Sequence, residues 1–234
     1  MPGGETEAHL ELKRQALVWS QRQGFWIGAL EVRLPNCNYR ADAVGYRPSR
    51  RSGEVGESVV FECKQARSDF LKDTANLETS RARLGEVRER VRGLEELLGL
   101  HHPHLRKGET LFPEFDGVDL QSVEHEGYRR ARRAEEELER KIFGGTKFDD
   151  LTRWKVANGF YLVVSPGIVA AEEVPRGWGM LESGLDGNLT VRKRPERFEA
   201  DKSTGLKLLE GIARRSTTRA NEGVGIDGEE IWGR

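Results

Sequence analysis

Three side chains of this 234-residue chain have the types and spacing to do chemistry together. Val59-Val60-Phe61-Glu62-Cys63-Lys64-Gln65 is a short apolar run carrying an acid and a base two residues apart. Side chains alternate across a strand, so Glu62 and Lys64 fall on one face while Phe61 and Cys63 fall on the other. A carboxylate and an ammonium held on a half-buried strand are costly unless a site uses them. Twenty residues upstream, Asp42 sits in a second strand-like run, Tyr39-Arg40-Ala41-Asp42-Ala43-Val44. Two carboxylates with a nearby lysine suit metal-dependent cleavage of phosphodiesters. The carboxylates are hard oxygen donors for Mg²⁺ or Mn²⁺, and the Cys63 carbonyl is a candidate further ligand. The lysine can orient a water or stabilise transition-state charge.

The elements that would position these residues follow from the flanking pattern. Residues 5–23 alternate apolar and charged positions as an amphipathic helix, with Thr6 as N-cap and Gly24 closing the end. Phe25–Leu34 predicts a first strand and Tyr39–Tyr46 a second, so residues 25–65 form an antiparallel meander after a helix. Residues 66–73 start a helix. Leu77, Leu84, Val87, Val91, Leu94 and Leu98 then recur at heptad-like spacing, and a second charged helix runs from about Glu124 to Phe143. Residues 75–145 are thus expected to be an inserted helical hairpin, poor in apolar residues for a core of its own. Its seam serves either an intramolecular hairpin or a homodimer.

The sheet is expected to resume at Trp154 and run to Val164, followed by a strand near Trp178–Glu182 and a hairpin turn at Asp186-Gly187-Asn188. Residues 203–215 predict a last amphipathic helix. The Gly-, Glu- and Asp-rich tail 216–234 is expected to be disordered or to bind a partner. Trp154, Trp178 and Tyr161 are expected in the core. Residues 5–74 and 146–215 would form one discontinuous α/β core.

Composition narrows the function classes. Hydrophobic residues are 36% and charged residues 33%, and 38 Lys+Arg against 39 Asp+Glu give a formal net charge of -1. That argues against a uniformly basic protein coating nucleic acid, while a local basic cleft stays open. Two cysteines, Cys37 and Cys63, are too few for a disulfide framework and read as small buried hydrophobes. No run approaches a membrane span and no secretory signal is visible, so a cytoplasmic location is the expectation. His101, His102 and His104 could hold a transition metal, though no acid or cysteine is placed to complete that set. Arg129–Arg133 suits a phosphate backbone or a solvated helix face about equally, given Glu135-Glu136-Glu137 beside it.

The order helix, meander, Glu-x-Lys strand, helix, buried strand resembles the PD-(D/E)xK nuclease superfamily. Within it, Phe61-Glu62-Cys63-Lys64-Gln65-Ala66-Arg67-Ser68-Asp69-Phe70 looks like the MmcB-like DNA repair group, as do Phe160–Gly167 and Val174–Leu181 further on. The residue before Asp42 is Ala41, where the superfamily's name has proline. The resemblance implies a restriction-endonuclease-like core, a mixed central sheet flanked by helices. It implies a Mg²⁺- or Mn²⁺-dependent nuclease acting on nucleic acid, with DNA the expected substrate, in repair, recombination or defence, and with Asp42, Glu62 and Lys64 catalytic. The first helix often adds an acid in this superfamily, here Glu11 or else Glu7, four apart on one face. Arg40, Gln65 and Arg67 would meet the substrate. The alternative is a catalytically weak member that binds DNA or a partner protein.

Overall fold

A computed structural model describes residues 6–72, 78–101 and 125–226. The chain divides into two compact units, residues 1–74 with 145–234, and residues 75–144.

The first unit is built on a six-stranded mixed sheet with the strands in sequence order. Helix α1 (Glu7–Arg22) is capped by Thr6, whose side chain accepts from the His9 amide at 3.2 Å. Strands β1 (Ile27–Arg33), β2 (Arg40–Arg47) and β3 (Glu57–Lys64) then form the expected antiparallel meander. Helix α2 (Arg67–Lys72) leaves β3, and α5 (Lys147–Arg153) returns the chain to β4 (Gly159–Val164), which runs parallel to β3. Strand β5 (Gly179–Ser183) is parallel to β4, and β6 (Leu189–Lys193) closes the sheet antiparallel to it. Gly187, at a φ of 73°, makes the turn between β5 and β6.

Strand alternation sorts the core into two layers. On one face Leu12 and Ala16 of α1 pack on Ala43, Val59, Phe61, Cys63, Val163 and Leu181. On the other, rings touch in series: Phe70 with Phe148, Phe148 with Trp178, Trp178 with Phe160, and Phe160 with Phe198. Trp178 is fully buried, and its indole N–H donates to the Phe148 carbonyl at 3.2 Å, pinning α5 to the sheet.

The second unit consists of α3 (Glu78–His101) and α4 (Glu126–Phe143). Val87 and Val91 pack on Ala131, with Leu94, Tyr128, Ala134 and Leu138 around them. Arg88 pairs with Glu135 and Glu139, and Tyr128 donates to Glu95 at 2.9 Å, so the helices run antiparallel. The heptad seam is therefore used within the chain. Arg130 pairs with Glu126 and Arg132 with Glu135, which engages part of the arginine-rich segment on its own helix. Of the three loop histidines, His101 ends α3 and is exposed, while His102 and His104 lie outside the described residues.

Three expectations change. The sheet resumes at Gly159, not Trp154, because 147–153 is helical and Trp154 is its C-cap. Trp154 is 42% exposed and lies near the Tyr39 ring rather than in the core. Helix α6 spans Lys202–Gly223, so residues 216–223, expected to be disordered or a partner-binding extension, continue the last helix. The rest of that tail, 227–234, lies outside the described residues. Both cysteines are free thiols; Cys63 is buried as expected, whereas Cys37 is half-buried. No helix among the described residues is long and apolar enough to cross a membrane.

Candidate functional site

The charged cluster lies where β2 and β3 part. Their ladder ends on the pair Ala43–Phe61, and the same register carried one residue on sets Asp42 against Glu62. There the Asp42 side chain takes over from the backbone, its Oδ2 accepting from the Cys63 amide at 2.7 Å. Lys13 Nζ stands 3.2 Å from Asp42 Oδ1, and His9 Nε2 stands 3.6 Å from Oδ2. Burial pulls the Asp42 carboxyl upward, but His9, the Cys63 amide and the Lys13 charge outweigh it and hold the group at about 2. Asp42 is therefore an anion across the physiological range.

Glu62 is 5% exposed and is held from both sides. Lys64 Nζ lies 3.1 Å from Oε1, as the Glu-x-Lys spacing on one strand face requires. Lys147 Nζ lies 2.6 Å from Oε2 and also donates to the Arg40 carbonyl at 2.8 Å. A third acid joins the cluster. Glu31 is opposite Asp42 in the β1–β2 ladder, between the pairs Leu30–Ala43 and Val32–Ala41, and it has a φ of 60°. A non-glycine residue in the left-handed region inside a strand is strained, on the order of 1–3 kcal/mol. The Glu31 carboxylate pairs with Lys13, and with Arg40 Nε at 2.6 Å. Lys13, only 4% exposed, thus bridges two acids from two strands.

Asp42, Glu62 and Lys64 are brought to one end of the sheet, as expected. The first helix contributes differently. Glu11 bonds Arg14 at 3.2 Å and Gln15 at 3.3 Å along its own helix, and Glu7 is exposed in the first turn. The positions that face Asp42 are His9 and Lys13, so α1 presents an imidazole and an ammonium where an acid was expected. Of the expected substrate-binding residues, Arg40 is on the cluster. Gln65 accepts a hydrogen bond from Thr6, and Arg67 grips Glu173 with both terminal nitrogens at 2.5 Å and the Ile168 carbonyl at 3.1 Å. Arg67 is in this way tied to the loop after β4. His9, Lys13, Glu31 and Lys147 complete the cluster without having been singled out in sequence.

The donor chemistry suits a hard divalent cation. Mg²⁺ usually keeps several waters and binds through one or two carboxylates plus substrate phosphate, which Asp42 and Glu62 could provide from neighbouring strands. Among the described residues no group of three or more His, Cys, Asp or Glu side chains is gathered as a ready metal cage. Each acid of the cluster instead has a lysine or arginine against it.

No family model matches the chain, and no curated protein matches it. Among solved structures it is similar to the "SPO1766 protein of unknown function from Silicibacter pomeroyi", with a TM-score of 0.53 and 14% identity over 98% of this chain and 99% of that one. A likeness at that identity speaks to the fold alone, and it extends over the full length of both chains.

Proposed function

We propose that the protein is a Mg²⁺- or Mn²⁺-dependent nuclease of the PD-(D/E)xK type, built on a restriction-endonuclease-like core and hydrolysing phosphodiester bonds, with DNA the expected substrate. The observation that carries this reading is the register that sets Asp42 against Glu62 where β2 and β3 separate, with Lys64 on Glu62 at 3.1 Å and Asp42 fixed by the Cys63 amide at 2.7 Å. In this reading Asp42 and Glu62 would hold the ion. When bound, it would neutralise the scissile phosphate and acidify a water. Lys64 would turn from Glu62 towards the phosphate and stabilise charge at the equatorial oxygens as water adds to phosphorus and the P–O bond to the leaving group breaks. Arg40, two-thirds exposed at the cluster's rim, would position the backbone of the nucleic acid.

The test is incubation with plasmid, linear and branched DNA in Mg²⁺, Mn²⁺ or EDTA. Metal-dependent cleavage is expected, and Asp42→Asn and Glu62→Gln should each reduce it to background while melting as cooperatively as the parent. Full activity in both variants would refute the assignment. A second reading, a catalytically weak nucleic-acid binder, is favoured by one observation: Lys13, Arg40, Lys64 and Lys147 already neutralise the three acids. It predicts salt-sensitive DNA binding that is indifferent to EDTA and no cleavage in any metal.

A further inference from the structure

Lys147 stands in an unusual place for a lysine. It is the first residue of α5, and the N-terminal end of a helix disfavours a positive charge. The acids of the first turn, Asp149 and Asp150, are turned elsewhere. Asp149 is turned back to the Gly145 amide at 3.2 Å, and Asp150 is taken by Arg153 at 2.5 Å and by Tyr39 at 2.9 Å. What holds the Lys147 ammonium is the sheet: Glu62 Oε2 at 2.6 Å and the Arg40 carbonyl at 2.8 Å. One carboxylate and one backbone carbonyl are a hard-oxygen set of the kind a divalent ion takes, at distances lengthened to suit an ammonium.

The helix does not need this pair to stay in place. Phe148 and Leu151 are fully buried, and the Trp178 indole bonds the Phe148 carbonyl. Lys64 already supplies Glu62 with a positive partner on its other oxygen. A second ammonium on a 5%-exposed carboxylate is therefore more than neutralisation requires.

We propose that Lys147 is the built-in counter-cation of Glu62, competing with the divalent metal for that carboxylate and leaving it when metal binds. The proposal rests on the metal-dependent reading above. Metal affinity is then set by Lys147 as much as by the acids, and in metal-free protein the nearly buried Glu62 carboxylate keeps a partner on each oxygen. The released ammonium, on a flexible four-carbon stem, becomes a mobile charge beside the substrate phosphate.

Mn²⁺ titration by calorimetry or electron paramagnetic resonance tests this without recourse to activity. Lys147→Met keeps the stem and removes the charge, and should bind Mn²⁺ about tenfold or more tighter than the parent, the scale of one lost competing ion pair. Lys147→Arg keeps the charge and should stay near the parent value. An independent measurement needs no variant: Lys147, its side chain only 17% exposed in metal-free protein, should react faster with an amine-acetylating reagent when Mn²⁺ is added, as read by mass spectrometry. Equal or weaker Mn²⁺ binding in Lys147→Met, or labelling of Lys147 unmoved by Mn²⁺ in protein that binds it, overturns the proposal and leaves the metal reading standing. Absence of Mn²⁺ binding in both parent and Lys147→Met overturns the metal reading itself, and the counter-cation role with it.

Discussion

Lys13→Met removes the one charge that lies between Glu31 and Asp42. Lys13 is 4% exposed, and its ammonium contacts Glu31 and stands 3.2 Å from Asp42. Methionine fills nearly the same volume, so packing against α1 changes little. The effect is electrostatic. Arg40 still reaches Glu31, and His9 and the Cys63 amide still reach Asp42, but two acids from adjacent strands then face each other without the cation between them. Breaking a buried pair by removing one partner costs about 3–5 kcal/mol. In a domain of this size that corresponds to a fall in Tm of roughly 6–20 °C. Urea unfolding at pH 7, followed by tryptophan fluorescence, measures it, since Trp19 on α1 packs against Phe61 and Tyr161. The double variant Lys13→Met with Glu31→Gln should recover a substantial part of the loss, because the remaining repulsion is gone. A loss below about 1 kcal/mol, the scale of an exposed ion pair, would refute the reasoning, as would a double variant no more stable than the single one.

The acid limb of stability should report Asp42. Its folded value lies at about 2 against an ordinary 3.8, so it contributes roughly 2.5 kcal/mol that is present above pH 4 and lost as pH falls from about 4 to 2. Asp42→Asn should be less stable than the parent at pH 7, with the two curves converging through that window; parallel curves would show that Asp42 is not the group responsible. Gly28→Ala should cost about 1–3 kcal/mol by overpacking, because a Cβ there would sit 2.7 Å from the Val44 carbonyl oxygen and 2.7 Å from Leu17. Melting within a degree of the parent would mean that β1 and β2 can separate at this point freely.

The helix–meander–strand order was legible because each element there carries a strong local signal. Thr6 caps, Gly24 stops with a φ of 89°, and β3 carries the continuous apolar run Val59-Val60-Phe61. Glu62 and Lys64 were legible as one pair because strand period sets them on one face, and Asp42 because a hairpin register brings β2 against β3. The rest of the cluster was not. Helix α5 has seven residues, too few for periodicity to show, and so Lys147 fell in a stretch between Gly145 and Trp154 to which the sequence assigned no element. Lys13 is charged and by type belongs in solvent, yet the buried stripe Ala16–Ser20 extends back to it and to His9 at helical spacing. Choosing Glu11 as the helix acid placed a carboxylate on the adjoining, half-exposed strip of the same helix. Glu31 was hidden for a different reason, since its reach towards Lys13 depends on a backbone conformation that strand alternation does not anticipate.

The insertion of the second unit between α2 and α5 has a consequence for the order in which the site assembles. Strand β4 must find β3 across every residue from 65 to 158, and the Glu62–Lys147 contact closes almost as long a loop. Relative to a direct crossover without residues 75–144, the longer connection costs only about 1 kcal/mol more in closure entropy. Even that is reduced if α3 and α4 pair first, since an antiparallel hairpin brings its own two ends together and lets β4 approach as though the crossover were short. Helix α1 and strands β1 to β3 need no such help and can bring Lys13 to Asp42 from local contacts. Lys147 lies beyond the crossover, so its pair with Glu62 requires the same long-range closure that brings β4 to β3.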